Sequence, residues 1–142
     1  MNTLALPGTL DALEPLGDYV RAAAAEAGFD TAAAGRLHLA VDEMATNSIT
    51  HAYQEQGREG QIYLEAVIDD RELRVHLEDT GPAYDPTVRE DPTDLDRPLE
   101  ERGVGGLGIF LARRNVDALL YERRGDRNRL TFVLHRRPAG RP

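Results

Sequence analysis

The stretch Leu39-Ala40-Val41-Asp42-Glu43-Met44-Ala45-Thr46-Asn47-Ser48-Ile49-Thr50-His51-Ala52-Tyr53 decides how the chain is read. No Gly or Pro interrupts it. Leu37, Val41, Met44 and Ser48 follow helical spacing, which predicts a helix with a core-facing stripe. A second stripe is polar: Glu43 and Asn47 lie four residues apart and stack on one face, with Thr50 and His51 a turn further on. A carboxamide oxygen is a hard, neutral ligand suited to Mg²⁺. A carboxylate one turn away can orient or deprotonate a nucleophile beside that metal. The alternative is an ordinary solvated helix face, so the choice depends on what the rest of the chain brings to these residues.

Downstream, Gln61 to Ile68 places Ile62, Leu64, Ala66 and Ile68 on one side and predicts a strand. Asp69 to Glu72 turns. Leu73, Val75, Leu77 and Asp79 then share one face of the next strand, and Arg74, His76 and Glu78 share the other. The alternation puts Asp79 on the apolar side at the strand's end, where a carboxylate is costly unless something satisfies it. It is either a binding residue beside a cavity or a turn Asp opening Thr80-Gly81-Pro82.

Upstream, Thr3 to Leu6 is a short candidate strand ended by Pro7-Gly8. Thr9 is placed to cap a helix from Leu10 to about Ala27, with Leu13, Leu16, Val20 and Ala24 facing the core. Pro15 and Gly17 are awkward in its first turns. Gly28 stops it. Asp30 or Thr31 caps the central helix, which is expected to run to about Gln54.

From Thr87 to Arg102 there is no periodicity and much acidic character, which predicts a long loop of the kind that serves as a lid or binding segment. It leads into Gly103-Val104-Gly105-Gly106-Leu107-Gly108 and a helix from Leu107 to about Val116. Gly103, Gly105 and Gly108 fit G-x-G-x-x-G literally, but a dinucleotide fold needs a strand just before and a βαβ unit after. An acidic loop precedes here, and a hairpin follows: Ala118 to Arg123, a turn at Gly125-Asp126, and Leu130 to Leu134. What survives is the physics of glycine backbone amides and a helix N-terminus, a phosphate clamp beneath a lid.

The composition narrows the classes. At 142 residues the chain predicts one domain over residues 1–136 with a polar tail over 137–142. The lack of Cys excludes disulfides and thiolate chemistry, and the lack of Lys excludes a P-loop or Schiff-base Lys. A net charge of −8 argues against direct nucleic-acid binding. No apolar run approaches the roughly 20 residues that span a bilayer, and no secretory signal is evident. A cytoplasmic location with no membrane contact is therefore expected.

Taken in order, the parts are a helix with Glu43 and Asn47, a strand ending in Asp79-Thr80-Gly81, a lid, a glycine clamp and a closing hairpin. This resembles the Bergerat-fold (GHKL) ATPases, the superfamily of gyrase, histidine-kinase catalytic domains and MutL. Within it the chain is most similar to the anti-sigma-factor serine/threonine kinases of bacterial partner switching. The similarity includes Asn47-x-x-x-His51-x-Tyr53, Asp79-x-Gly81-Pro82-x-Tyr84-Asp85-Pro86 and Asn128-Arg129-Leu130-Thr131. The resemblance implies an α+β fold, a two-layer sandwich with helices on one face of a mixed, mostly antiparallel sheet.

It also implies cofactors and roles. ATP and Mg²⁺ would bind, with Asn47 holding the metal and Glu43 acting as catalytic base. Asp79 would accept from the adenine amino group, with Gly81 letting the base lie close. Gly103, Gly105, Gly106, Leu107 and Gly108 would hold phosphates. Arg102 would either stabilise γ-phosphate charge or be a solvated lid residue. His51 would either contact phosphate or be packed and hydrogen-bonded. Thr131 would back up Asp79, although simple alternation puts it on the face opposite Leu130, Phe132 and Leu134. The implied activity is phosphorylation of an anti-anti-sigma (STAS-type) protein, with a sigma factor as second partner and a homodimer as the assembly. Two other readings stay open: a nucleotide-gated binding module with little kinase activity, and a detached histidine-kinase ATPase domain.

Overall fold

A computed structural model describes residues 1–88 and 107–136. The expected lid from residue 89 onward, with Arg102, Gly103, Gly105, Gly106 and the tail, lies outside the described residues; its first two residues, Thr87 and Val88, fall in a short 3-10 turn (Pro86–Val88). Strand β1 (Leu4–Pro7) leads through a short 3-10 turn into helix α1 (Leu13–Glu26), and helix α2 (Thr31–Ile49) follows. Strands β2 (Gln61–Ile68) and β3 (Glu72–Asp79) form a hairpin; helix α3 (Leu107–Asn115) precedes a second hairpin, β4 (Ala118–Arg124) and β5 (Arg127–His135).

The five strands stand in the order β1-β2-β3-β5-β4. Every pairing among them is antiparallel, the arrangement expected for most of the sheet. The rest of the expected α+β sandwich is present. Leu16, Val20, Leu37, Val41 and Met44 from the helices bury against Ile62, Leu64, Val75, Leu77 and Phe132 of the sheet. Burying one face of the sheet under one apolar stripe per helix is what gives such a chain a core.

Local chemistry explains the boundaries. Asp30 caps α2: its side chain accepts from Ala33 N–H at 2.8 Å. Thr9 makes no such bond; the segment after it is a 3-10 turn, and α1 proper begins at Leu13. Pro15 is then the third residue of α1, where its missing N–H costs no intrahelical bond. Gly28 ends the helix with φ at +87°.

The central helix runs to Gln54, but not as a uniform α-helix. After Ile49 it widens into a π turn over Thr50–Gln54, closed by Glu55 N–H donating to Thr50 O at 2.9 Å. The hydroxyls of Thr46 and Thr50 bond back to the carbonyls four residues earlier, a competition that loosens helices locally. Such π turns are frequent at functional sites.

Strand β5 is longer than its apolar alternation suggests. Arg127, Asn128 and Arg129 precede the apolar run, yet all three are in the strand: Asn128 pairs with Asp79 and Arg129 with Glu78 of β3, and Arg127 pairs with Arg124 of β4. Glu78 faces away from the helices and is held by Arg129 at 2.5 Å and Arg127 at 3.0 Å. Burial works to raise the Glu78 carboxyl, but the hydrogen bonds and charges of these two arginines outweigh it and hold the group below the ordinary carboxylate range. On the same face burial, with the Arg129 charge adding to it, pushes His76 below its usual value.

Candidate functional site

A cavity of about 160 Å³ opens between the end of α2 and the ends of β3 and β5. Asn47, His51, Asp79, Tyr84 and Asn128 are among its lining residues. It is smaller than the roughly 300–1,000 Å³ of a typical whole-ligand pocket, so it suits a flat ring rather than a complete nucleotide.

Asp79 is 6% exposed. Its Oδ1 accepts from Gly81 N–H at 2.9 Å and from the Asn128 side-chain amide at 2.9 Å. Among the described residues its Oδ2 accepts no hydrogen bond. A buried carboxylate with one oxygen satisfied and one spare is an acceptor waiting for a donor.

Gly81 serves close approach. A Cβ there would fall 2.5 Å from Ala52 Cβ and 2.6 Å from Ala52 Cα, so only glycine lets the Asp79–Gly81 turn lie against the π turn. Tyr53, 2% exposed, fastens the same two segments. Its hydroxyl donates to Gln61 O at 2.5 Å and accepts from Thr80 N–H at 3.1 Å. The sequence pattern flagged Tyr53 without giving it this role.

Glu43 and Asn47 occupy one face of α2, both partly exposed. Glu43 lies against the start of α3: a Cβ on Gly108 would sit 2.9 Å from Glu43 Oε2. Leu107 is the first residue of α3. Backbone amides of a helix's first turn have no intrahelical acceptor and favour an anion in front of them.

His51 is packed. Its Nδ1 is 2.5 Å from Glu55 Oε1, and its ring tilts over Tyr84 with centroids 4.8 Å apart. Thr131 is not brought to the cavity. It pairs with His76 on the sheet face away from the helices, where it is buried, and bonds His76 Nδ1 at 2.8 Å. The residue opposite Asp79 in register is Asn128.

The residues present fit an adenine nucleotide. Asp79 and Asn47 line the small cavity, and Glu43, one turn before Asn47 on α2, lies against the start of α3. Among the described residues no group of three His, Cys, Asp or Glu side chains could hold a metal. That is compatible with Mg²⁺ only in its usual manner, where one or two protein ligands suffice and phosphates and water supply the rest.

The profile of the histidine kinase-like ATPase domain matches residues 6–134. The chain belongs to the histidine kinase-like ATPase domain family. This ATPase-family chain is 38% identical over 102 residues to the serine/threonine-protein kinase BtrW of Bordetella bronchiseptica, a match covering 72% of the chain and 70% of BtrW. It is 35% identical over 97 residues to the serine-protein kinase RsbW of Listeria monocytogenes, covering 66% of the chain and 61% of that relative.

Solved structures agree in fold. One holds the RsbU and RsbW domains of a Mycobacterium tuberculosis protein, with a TM-score of 0.63 at 20% identity; the match covers 98% of this chain and 34% of that one. Another is the histidine kinase domain of a blue-light activated kinase from Erythrobacter litoralis, with a TM-score of 0.55 at 25% identity, covering 86% and 59%. Among the described residues of this ATPase-family domain, no helix is long and apolar enough to cross a membrane.

Proposed function

We propose that this chain is an ATP-dependent serine/threonine protein kinase that acts as an anti-sigma factor in bacterial partner switching, phosphorylating an anti-anti-sigma protein of STAS type. The observation that carries the reading is that Asp79 and Asn47 line one cavity, while Glu43, one turn before Asn47 on α2, lies against Gly108 at the start of α3. A base acceptor, a metal ligand and a proton acceptor are thus neighbours around one site. The similarity to BtrW and RsbW, both named as serine kinases, supports it.

In the mechanism, Asp79 accepts the adenine amino group and Gly81 lets the ring lie close. Bound Mg²⁺, held through Asn47, would neutralise phosphate charge. The first-turn amides of α3 at Leu107 and Gly108 face the phosphates. By the resemblance, Gly103, Gly105 and Gly106 would also hold phosphates and Arg102 would stabilise γ-phosphate charge. Glu43 takes the proton of the partner's Ser or Thr hydroxyl as that oxygen bonds to the γ-phosphorus and the bond to the β–γ bridging oxygen breaks. Such chemistry is mostly positioning and charge neutralisation. His51 steadies Tyr84 at the cavity wall. A homodimer that holds either a sigma factor or the STAS-type protein, in the cytoplasm, completes the proposal.

Calorimetry with Mg·ATP is expected to show binding to the wild type and none to Asp79→Ala. γ-labelled ATP with candidate STAS-type partners is expected to label the partner. Equal heats for both proteins would overturn the site. Tight binding with no transfer to any partner that it captures would leave the nucleotide-gated binding module as the better account.

A further inference from the structure

Asn128 is bonded more fully than any other side chain at the cavity. Its amide nitrogen donates to Asp79 Oδ1 at 2.9 Å and to Pro82 O at 2.8 Å. Its Oδ1 accepts from Tyr84 N–H at 3.1 Å, from the Tyr121 hydroxyl at 2.6 Å and from Arg123 at 3.3 Å. The surroundings fix which end is which. Pro82 O can only accept and Tyr84 N–H can only donate, so a flipped amide would face like against like on both sides. Asn128 is 6% exposed on a core-facing strand position. A carboxamide there is costly unless every polar atom is used, and none of its atoms is left unsatisfied.

We infer that Asn128 is the positioning residue of Asp79 and so sets which base the site selects. By filling Oδ1 from β5 while Gly81 N–H fills it from the turn, it leaves Oδ2 as the acceptor turned to a ligand. A carboxylate fixed in this way rewards an exocyclic amino donor and repels a carbonyl oxygen at the same place. The same amide holds Pro82 and Tyr84, the wall on which a ring would lie. Arg123 reinforces that wall by donating to Gly81 O at 2.8 Å. The inference deepens the adenine-nucleotide reading above and rests on it.

The test compares ATP with purine riboside triphosphate, which lacks only the 6-amino group, by calorimetry with Mg²⁺ on the wild type, Asn128→Thr and Asn128→Val. Threonine and valine have the same shape, but only threonine keeps a donor for Asp79. The wild type is expected to prefer ATP. Asn128→Val is expected to weaken binding of both nucleotides through the loosened wall, and of ATP about tenfold more than of the analogue, the loss of one hydrogen bond that serves a charged group. Asn128→Thr is expected to retain most of the preference for ATP. If both variants fold and lose the two nucleotides equally, or if Val keeps the full preference, Asn128 only supports the fold and the inference is overturned. If the wild type itself does not distinguish the nucleotides, the adenine reading fails, and the inference with it.

Discussion

Glu43 and Gly108 meet where α2 passes the start of α3, so closely that a single added carbon on Gly108 would stand 2.9 Å from Glu43 Oε2. A carboxylate and the first turn of a helix thus share one small volume. The amides there favour negative charge, so on the proposed reading a bound phosphate would lie beside the Glu43 carboxylate.

Replacing Glu43 with Gln keeps the shape and removes the base. Phosphoryl transfer is expected to fall by roughly 10²- to 10⁴-fold, while nucleotide affinity stays within about threefold because no base contact is lost. Single-turnover transfer from labelled ATP, beside a binding titration, measures both. Unchanged transfer would remove Glu43 from the mechanism.

Two glycine substitutions should separate function from folding. At Gly108 an added methyl meets only the end of a flexible carboxylate. Gly108→Ala is therefore expected to fold, with helix propensity gaining up to about 1 kcal/mol, and to lose activity. At Gly81 the methyl meets the Ala52 backbone. Gly81→Ala is expected to lose about 1–3 kcal/mol through overpacking and to bind nucleotide weakly. Urea unfolding distinguishes the two.

Tyr53→Phe deletes one hydroxyl and leaves Gln61 O and Thr80 N–H short of a partner. An expected loss of about 1 kcal/mol follows from removing hydrogen bonds to groups that are only partly shielded from water, Gln61 being exposed and Thr80 half-buried. The Thr80-Gly81 turn also loses its anchor, so nucleotide affinity should fall in step. Thermal melts with and without nucleotide check this; stability equal to wild type would show the hydroxyl to be dispensable.

Acid should unfold the protein in two stages. His76 has its folded value pushed down, so the unfolded chain binds the proton more readily; stability present above about 6.5 declines as pH falls through that value toward the lower folded one. Glu78, also held below its ordinary value, adds stability above about 4.5 that declines as pH falls from there toward its folded value. Urea midpoints between pH 8 and pH 3 should show both declines. His76→Gln should lose the upper one and Glu78→Gln should flatten the lower one.

The helix with Glu43 and Asn47 was legible because periodicity alone fixes its buried side and hence its polar side. Asp79 was legible because a charge on the apolar side of a strand demands an explanation. Asn128 was not. It lies between two arginines just after a turn, where the apolar alternation has not begun, and its importance comes from pairing with a residue 49 positions earlier. No local pattern encodes that register. The π turn was invisible for a related reason: Thr50 to Gln54 suit an α-helix as well, and the widening reflects packing of Tyr53 and Ala52 against distant segments.

The β3–β5 ladder joins strands separated by some fifty residues of chain, and the cavity floor is made from both. The recognition apparatus therefore does not exist in any locally ordered fragment; it appears only when the slowest, most distant contacts close. A ligand of this cavity engages the completed fold and nothing earlier, so it draws the folding equilibrium toward the native chain, by about 2.7 kcal/mol at a hundredfold excess over its dissociation constant. Cellular energy charge would then govern not only what this domain does but how much of it stands assembled.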